Sequence, residues 1–344
     1  MHNPPKATLT IRDIAGRAGV SVSTVSRVLN GRKDQMAEPT RQKVEAAIRE
    51  VNYVPNRMAS GLKCDKSQTL GVVVPNIVNP YFAAVLRGVQ DYASPKGYDI
   101  FICSSDDNAE LEAHHVNTLL SRRVEGLIVA TCARDKTTYR RLIEARFPLV
   151  LLDRPIPGLS CDSVTVDNRG ICVRIIDRLV ELGHRYVAVV TPPCSDIGPR
   201  IDRVEGCRAA LIRHGLDLPA DLLVEIGPSA RIVTEAVHHL LSRTPRATAV
   251  FVLNTLLAAS LIRELRRRAA VADYAVVTYD DPDWCEMLTP AVSAVRQPTY
   301  EIGRIVARLA TERIEAPDRP IERVLLDAEF IERDLAAIPV QGRP

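Results

Sequence analysis

Ser21, Ser23, Thr24, Ser26 and Arg27 fall within seven residues near the amino end. If Val25, Val28 and Leu29 form the inward face of a helix, then Ser23, Ser26 and Arg27 point outward and Val22 lies at the edge of that arc. An outward arginine offers a bidentate fork to guanine O6 and N7. The hydroxyls of Ser21, Thr24 and Ser26 suit phosphate oxygens. The same pattern also fits the solvated face of a plain three-helix domain. Catalytic chemistry is not expected: the chain has no GxGxxG after a strand, no Walker loop, no HExxH and no GxSxG. Its eight cysteines form no CxxC pair, and several sit in apolar runs, which reads as reduced, buried thiols. The pairs His114-His115 and His238-His239 lie on helical patterns, where adjacent residues diverge and rarely share a metal. No cofactor and no metal are expected.

The elements that must carry the hydroxyl and arginine set are short helices. Thr10 followed by Asp13 suggests a capping box, and Ile11, Ile14, Ala15 and Ala18 share one face. Gly19 permits a tight turn, Ser21 can cap the second helix and Gly31 can end it. A third helix follows Pro39-Thr40 with Val44, Ala47, Ile48 and Val51 inward. Two helices joined by a short turn containing glycine form a helix-turn-helix, whose second helix enters the DNA major groove. Thr10 and Asn30, at the outer ends of these helices, complete the expected DNA-facing set. Charge agrees. Residues 1–66 hold 12 Lys/Arg and 6 Asp/Glu, or +6, while the whole chain carries only +3 and the rest therefore −3. A basic head on a mildly acidic body points to nucleic acid at one end.

The body is of another kind. With 344 residues and about 150 per domain, two or three domains are expected. From about residue 67, short apolar runs such as LGVVVP (70–75), GLIVA (126–130), PLVLLD (148–153) and AVFVL (249–253) alternate with segments of helical period. Continuous apolar runs mark strands buried on both faces, and strand–helix alternation implies parallel sheets. There are too many strands for one sheet, so two α/β lobes are expected. Lobe 1 spans about 67–167 and 294–323, and lobe 2 about 168–293 and 324–335. The fold class is thus an all-α helix-turn-helix head (8–52), a linker (53–66) and an α/β body of two doubly wound parallel-sheet lobes (67–335). No apolar stretch approaches the ~18 residues of a membrane span, and no apolar signal core opens the chain, so a cytoplasmic protein is expected.

TIRDIAGRAGVSVSTVSRVLNG and EPTRQKVEAAIREVNYVPNRMASGLK resemble the DNA-binding head of the lactose-repressor (LacI/GalR) family of bacterial transcription regulators. The resemblance continues through LGVVVPNIVNPYF, RRVEGLIVA, LLDRPIPG, RVEGCRAAL, TYDDPDW and VRQPTYEIG, covering roughly residues 8–335. It implies a homodimer bound to a pseudo-palindromic double-stranded operator, expected to act as a repressor under control of a sugar or sugar derivative. Val22 and Ser23 match the family's specificity positions, and Arg27 its recurrent arginine. Asn56 to Leu62 matches the hinge helix. There Ala59 is small enough for close approach of two hinges, and Leu62 is the minor-groove wedge.

For the body, the resemblance implies a periplasmic-binding-protein-like cleft between the lobes. Tyr81 and Phe82 match an aromatic wall, though core packing also suits them. Asp153 matches a ligand carboxylate, with a capping or lobe-bridging role as the alternative. Arg203 matches the arginine that meets the effector, and Asn254 and Asp280 match further cleft positions. Trp284, after the DDP turn, is a candidate cap on the cleft or a core residue, and Asp106 is a candidate from its place after a strand. Two positions depart from the family. Thr255 follows Asn254 where an acid is usual, which puts the second lobe's hydrogen-bond network in doubt. VSAVRQP replaces a common Leu-Thr-Thr-Val segment, expected to affect packing more than chemistry. The tail lacks the leucine heptad of tetramers, which favours a dimer.

Overall fold

A computed structural model describes residues 9–29, 36–51, 53, 67–194, 197–227 and 229–337. The chain divides into two compact units, Met1–Ser67 and Gln68–Pro344. The first holds α1 (Ile11–Ala18), α2 (Val22–Leu29) and α3 (Glu38–Glu50). The Asp13 carboxylate reaches back to accept from the Thr10 N–H (2.7 Å) and hydroxyl (2.8 Å), and these bonds hold its pKa below the usual value. Gly19 leaves α1 at φ 64°, the left-handed region that costs glycine nothing. Ser21 Oγ then accepts from the Thr24 N–H at 3.2 Å, capping α2. Ile14, Ala15, Val25, Val44 and Ala47 form the core, flanked by Ile11, Ala18, Val28, Leu29, Ile48 and Val51.

The second unit begins with β1 (Thr69–Val74), α4 (Pro80–Ala93), β2 (Asp99–Ser104), α5 (Ala109–Ser121), β3 (Gly126–Val129), α6 (Thr137–Glu144), β4 (Leu149–Leu152) and β5 (Asp162–Val166). It continues with α7 (Asn168–Glu181), β6 (Val187–Thr191), α8 (Gly198–Arg213), β7 (Leu223–Glu225), α9 (Ala230–Ser242), β8 (Ala249–Val252), α10 (Thr255–Arg267) and β9 (Ala275–Tyr279). Then come α11 (Trp284–Met287), β10 (Ser293–Arg296), α12 (Thr299–Glu315), β11 (Arg323–Leu326) and β12 (Glu329–Ile331). Among the described residues there are two six-stranded sheets, ordered β11-β5-β4-β3-β1-β2 and β12-β10-β9-β8-β6-β7. The described pairings are parallel except β10 with β12.

The lobes match the expected architecture, with two corrections. Strand β10 pairs with β9 and so belongs to the second lobe, while β11 pairs with β5 in the first. The chain therefore recrosses after residue 296 and again after 326, not before 294 and 324. Apolar runs of equal quality fill both sheets, and only pairing assigns them. The expectation that the runs are buried on both faces also fails at β2. As an edge strand it leaves Phe101 44% and Ile102 50% exposed.

Helix α12 returns to lobe 1 and packs against α4 at a pair of glycines. A Cβ on Gly88 would collide with the Tyr300 carbonyl, and one on Gly303 with the Val85 carbonyl. The other end of α12 is tied to β5 by a two-bond fork from Arg313 to the fully buried Asp162 side chain, with Nε–Oδ2 3.0 Å and Nη2–Oδ1 2.9 Å. No described helix is long and apolar enough to cross a membrane.

Candidate functional site

On α2 and at the Ser21 that caps it, Ser21, Val22, Ser23 and Arg27 are exposed, and Thr24 and Ser26 are half-buried. Val22, although apolar, is 39% exposed. Thr10 is exposed ahead of α1. The outward face thus carries the side chains expected from the helical period. Asn30, Asn56, Ala59 and Leu62 lie outside the described residues.

The second site is a cavity of about 170 Å³ in the body, between the lobes. Residues that follow the carboxyl ends of successive strands line it: Pro75 after β1, Asp107 after β2, Asp153 and Arg154 after β4, Pro192 after β6, Leu253 and Asn254 after β8, and Asp280 after β9. Parallel sheets offer their ligand crevice at that end. Asp107, Asp153 and Asp280 have φ of 54°, 62° and 71°, so the chain leaves each strand through a left-handed turn that aspartate tolerates better than most residues.

Arg203 is held on three sides. Its Nε donates to Asn168 Oδ1 at 2.7 Å, Nη1 donates to the Leu253 carbonyl at 3.1 Å, and the guanidinium lies 3.5 Å from the Tyr279 ring centroid. Tyr279 donates its hydroxyl to the same Asn168 oxygen at 2.8 Å. Burial opposes the Arg203 cation, yet Tyr279, Asp153 and Asp280 hold its pKa above the ordinary value. Helix α8 brings Arg203 this close because Gly206, one turn later, abuts α7. A Cβ there would stand 2.5 Å from the Arg169 carbonyl.

The carboxylates behave differently. Burial raises the Asp153 pKa, against the pull of Arg203 and Arg154. Burial pushes Asp280 up to about 6, although Arg203 and a 2.6 Å hydrogen bond donated by Gln297 Nε2 lower it. Four buried polar atoms of the lining have no hydrogen-bond partner: Tyr81 Oη, Asp153 Oδ1, Arg154 Nε and Gln297 Oε1. A buried polar atom without a partner costs about 1–3 kcal/mol, and a ligand that supplies hydroxyls recovers it.

Of the residues read from sequence, the cavity gathers Tyr81, Phe82, Asp153, Arg203, Asn254 and Asp280. Several have a structural task as well. Tyr81 and Phe82 belong to the core and meet edge-on at 4.9 Å, and the Asn254 side chain caps α10 by accepting from the Leu257 N–H at 3.0 Å. Asp106 is corrected, and Trp284 takes the second of its two expected places. Asp106 accepts from Ser104 Oγ at 2.9 Å and is not in the lining, while its neighbour Asp107, also exposed, lines the cavity. Trp284 opens α11 and packs half-buried against the core, outside the lining. The VSAVRQP segment is also more than packing, since it supplies Gln297. Thr255, in place of the usual acid, is 2% exposed and its hydroxyl finds no partner, so it takes no part in the second lobe's network around Arg203.

Sequence reasoning missed Asp107, Arg154, Arg200 and Gln297. Arg200 carried a signal: it lies one helical turn before Arg203 and shares its face.

The model of bacterial regulatory proteins of the lacI family matches residues 10–56, and that of periplasmic binding proteins and the sugar binding domain of the LacI family matches residues 67–333. The chain belongs to the LacI family. It is 32% identical to the HTH-type transcriptional regulator KdgR of Bacillus subtilis strain 168, with 94% of this chain and 96% of the relative covered. Among solved structures, a transcriptional regulator CelR–cellobiose complex is 30% identical, with a TM-score of 0.70 over 94% of this chain and 99% of that one. The lac repressor dimer bound to operator and the anti-inducer ONPF is 25% identical, with a TM-score of 0.81 over 96% and 99%. This LacI-family chain is a DNA-binding transcriptional regulator with an effector-binding body, not an enzyme.

Proposed function

We propose that this regulator represses transcription as a cytoplasmic homodimer on a pseudo-palindromic operator, and that a sugar or sugar derivative in the cleft controls its hold on DNA. The observation that carries the cleft assignment is the set of four partnerless polar atoms, Tyr81 Oη, Asp153 Oδ1, Arg154 Nε and Gln297 Oε1, around one cavity at the strand ends. Two acceptors, a phenol and a guanidinium N–H suit a polyhydroxylated ligand. The CelR relative was solved with cellobiose, which supports a sugar here. Phe101 and Ile102 on the exposed edge strand β2 supply apolar surface for a second copy. Val22, Ser23 and Arg27 read bases, and Thr10, Ser21, Thr24, Ser26 and Asn30 serve the backbone. By the family resemblance, Asn56, Ala59 and Leu62 form the hinge, with Leu62 entering the minor groove.

The test starts from an operator selected from random duplexes. Arg27→Ala should cost about 1–3 kcal/mol per half-site on the selected sequence and much less on random DNA. Equal losses on both would reduce Arg27 to a phosphate contact. A panel of sugars, scored by thermal shift and then by operator affinity, tests the cleft. A ligand at about 100 times its Kd should add about 2.7 kcal/mol of stability.

A further inference from the structure

Among the described residues three guanidinium groups face the cleft, and only one carboxylate is hydrogen-bonded to any of them. Asp107 accepts from Arg154 Nη1 on Oδ1 at 2.8 Å and from Arg200 Nη2 on Oδ2 at 2.6 Å. Asp107 and Arg154 belong to lobe 1, while Arg200 stands on α8 of lobe 2, so this one side chain joins the lobes at the cavity. Arg203 bonds only to neutral oxygens. Asp280 hydrogen-bonds Gln297, and Asp153 comes no nearer to Arg154 than 4.0 Å. Arg154 is 8% exposed at its side chain, and its Nε has no partner.

We infer that the effector is an acidic monosaccharide whose carboxylate takes over Arg200 and Arg154 from Asp107, while its hydroxyls meet Asp153, Gln297 and Tyr81. The inference rests on the proposed reading of the cleft as the effector site. Guanidinium forks bind carboxylates in two parallel bonds, so a ligand carboxylate is a like-for-like replacement for Asp107. A neutral polyol can meet Arg154 Nε with a hydroxyl oxygen but leaves the Asp107 pairs intact. The acid gives that donor a charged acceptor and brings negative charge to Arg154 and Arg200 themselves, the two guanidinium groups that share one carboxylate. Burial and the like-charged Arg154 and Arg203 already disfavour the Arg200 cation. Exchange at Asp107 also explains how a ligand is felt by both lobes at once, since the pair it displaces is a link between them.

The experiment is calorimetry on the full-length protein with matched ligands: D-glucuronate against D-glucose, D-galacturonate against D-galactose, D-gluconate against D-glucitol, and glucose 6-phosphate as a second anion. At least one acid should bind 100-fold more tightly than its neutral partner. Arg200→Gln should cut that preference at least tenfold. Asp107→Asn should keep the preference or increase it, because it weakens the competitor. The Asn variant retains side-chain shape, and so reports even if Arg200→Gln fails to fold. A neutral sugar that binds as well as its acid and shifts operator affinity would overturn the acid and leave the cleft reading standing. Tightest binding by the phosphate would overturn the carboxylate in the same way. No binding by any member would remove both.

Discussion

Arg203 and Arg200 stand one turn apart on the same helix and face the same cavity, yet their surroundings are opposite. Arg203 is fixed within its own lobe by an amide oxygen, a backbone carbonyl and an aromatic face. Arg200 donates to the Pro193 carbonyl and to a carboxylate from the other lobe. The first arrangement does not depend on lobe closure, because Asn168, Leu253 and Tyr279 all move with α8. The second exists only while the lobes are together. One arginine is preorganised and the other is exchangeable, which gives the site a fixed anchor and a movable link. Allostery needs two states that a ligand distinguishes, and the Asp107 link is a contact that opening the lobes would break.

The largest expected effect breaks the anchor. Arg203→Ala removes a charge-assisted donor set worth about 1.5–3 kcal/mol per bond, so effector affinity should fall at least tenfold. Effector-free operator affinity should hardly change, since the substitution lies in the second unit and the operator helix in the first. An inducer would then fail to release the variant from DNA, and a corepressor would fail to load it. Normal effector affinity in Arg203→Ala would show that the anchor is structural only.

A somewhat smaller effect should follow from shifting both arginines together. Gly206→Ala places a Cβ 2.5 Å from the Arg169 carbonyl and 3.1 Å from Cys172 Cβ, so α8 must move off α7. Overpacking of this kind costs about 1–3 kcal/mol. Thermal melting should show the loss, and effector affinity should fall with it, because Arg203 loses its reach to Asn168 Oδ1 on α7. A destabilised variant with unchanged effector affinity would mean that Arg203 keeps its place independently of the helix contact.

This contrast also separates what the chain reveals on reading from what it hides. Arg203 was legible because RVEGCRAAL keeps its family spacing, and Asp153, Asn254 and Asp280 because each closes an apolar run. Arg154 and Asp107 were not, and Arg200 only through its place one turn before Arg203, since these partners are 93 and 47 residues apart in the chain and meet only through folding. Asp106 and Asp107 are adjacent acids after one strand with the same left-handed backbone, and their partners separate them: Ser104 for the first, Arg154 and Arg200 for the second. The lobe recrossings slipped by three residues for a similar reason: β10 and β11 look alike as sequence and differ in which neighbour they pair with. For Trp284 the turn before it leaves cleft cap and core residue both open, and the start of α11 carries it onto the core.

The smallest effect sharpens the comparison among the carboxylates. Asp107 is paired with two arginines, which overcome its burial and lower its pKa, whereas Asp280 has no hydrogen-bonded cation and burial raises it from 3.8 to about 6. Their contributions to stability therefore have opposite signs. For Asp280, the folded state holds its proton more tightly than the unfolded state. Its stabilising contribution is complete below pH 3.8 and is lost as pH rises through about 6, leaving a buried anion above that. The substitution Asp280→Asn keeps an oxygen for the Gln297 N–H, and asparagine tolerates the left-handed φ of 71°. At roughly 1.4 kcal/mol per pKa unit the ceiling is about 3 kcal/mol, and the half-buried position of Asp280 at the cavity brings the expected gain of Asp280→Asn at pH 7.5 to about 1 kcal/mol. Denaturant unfolding at several pH values should show this gain shrink through pH 6 and vanish below 4. Asp107→Asn should show the reverse: no change in acid, and a loss of stability above the usual carboxylate range, where its ion pairs are intact. If both variants respond to pH with the same sign, the cleft carboxylates share one environment, and the division between a fixed anchor and an exchangeable link loses its electrostatic basis.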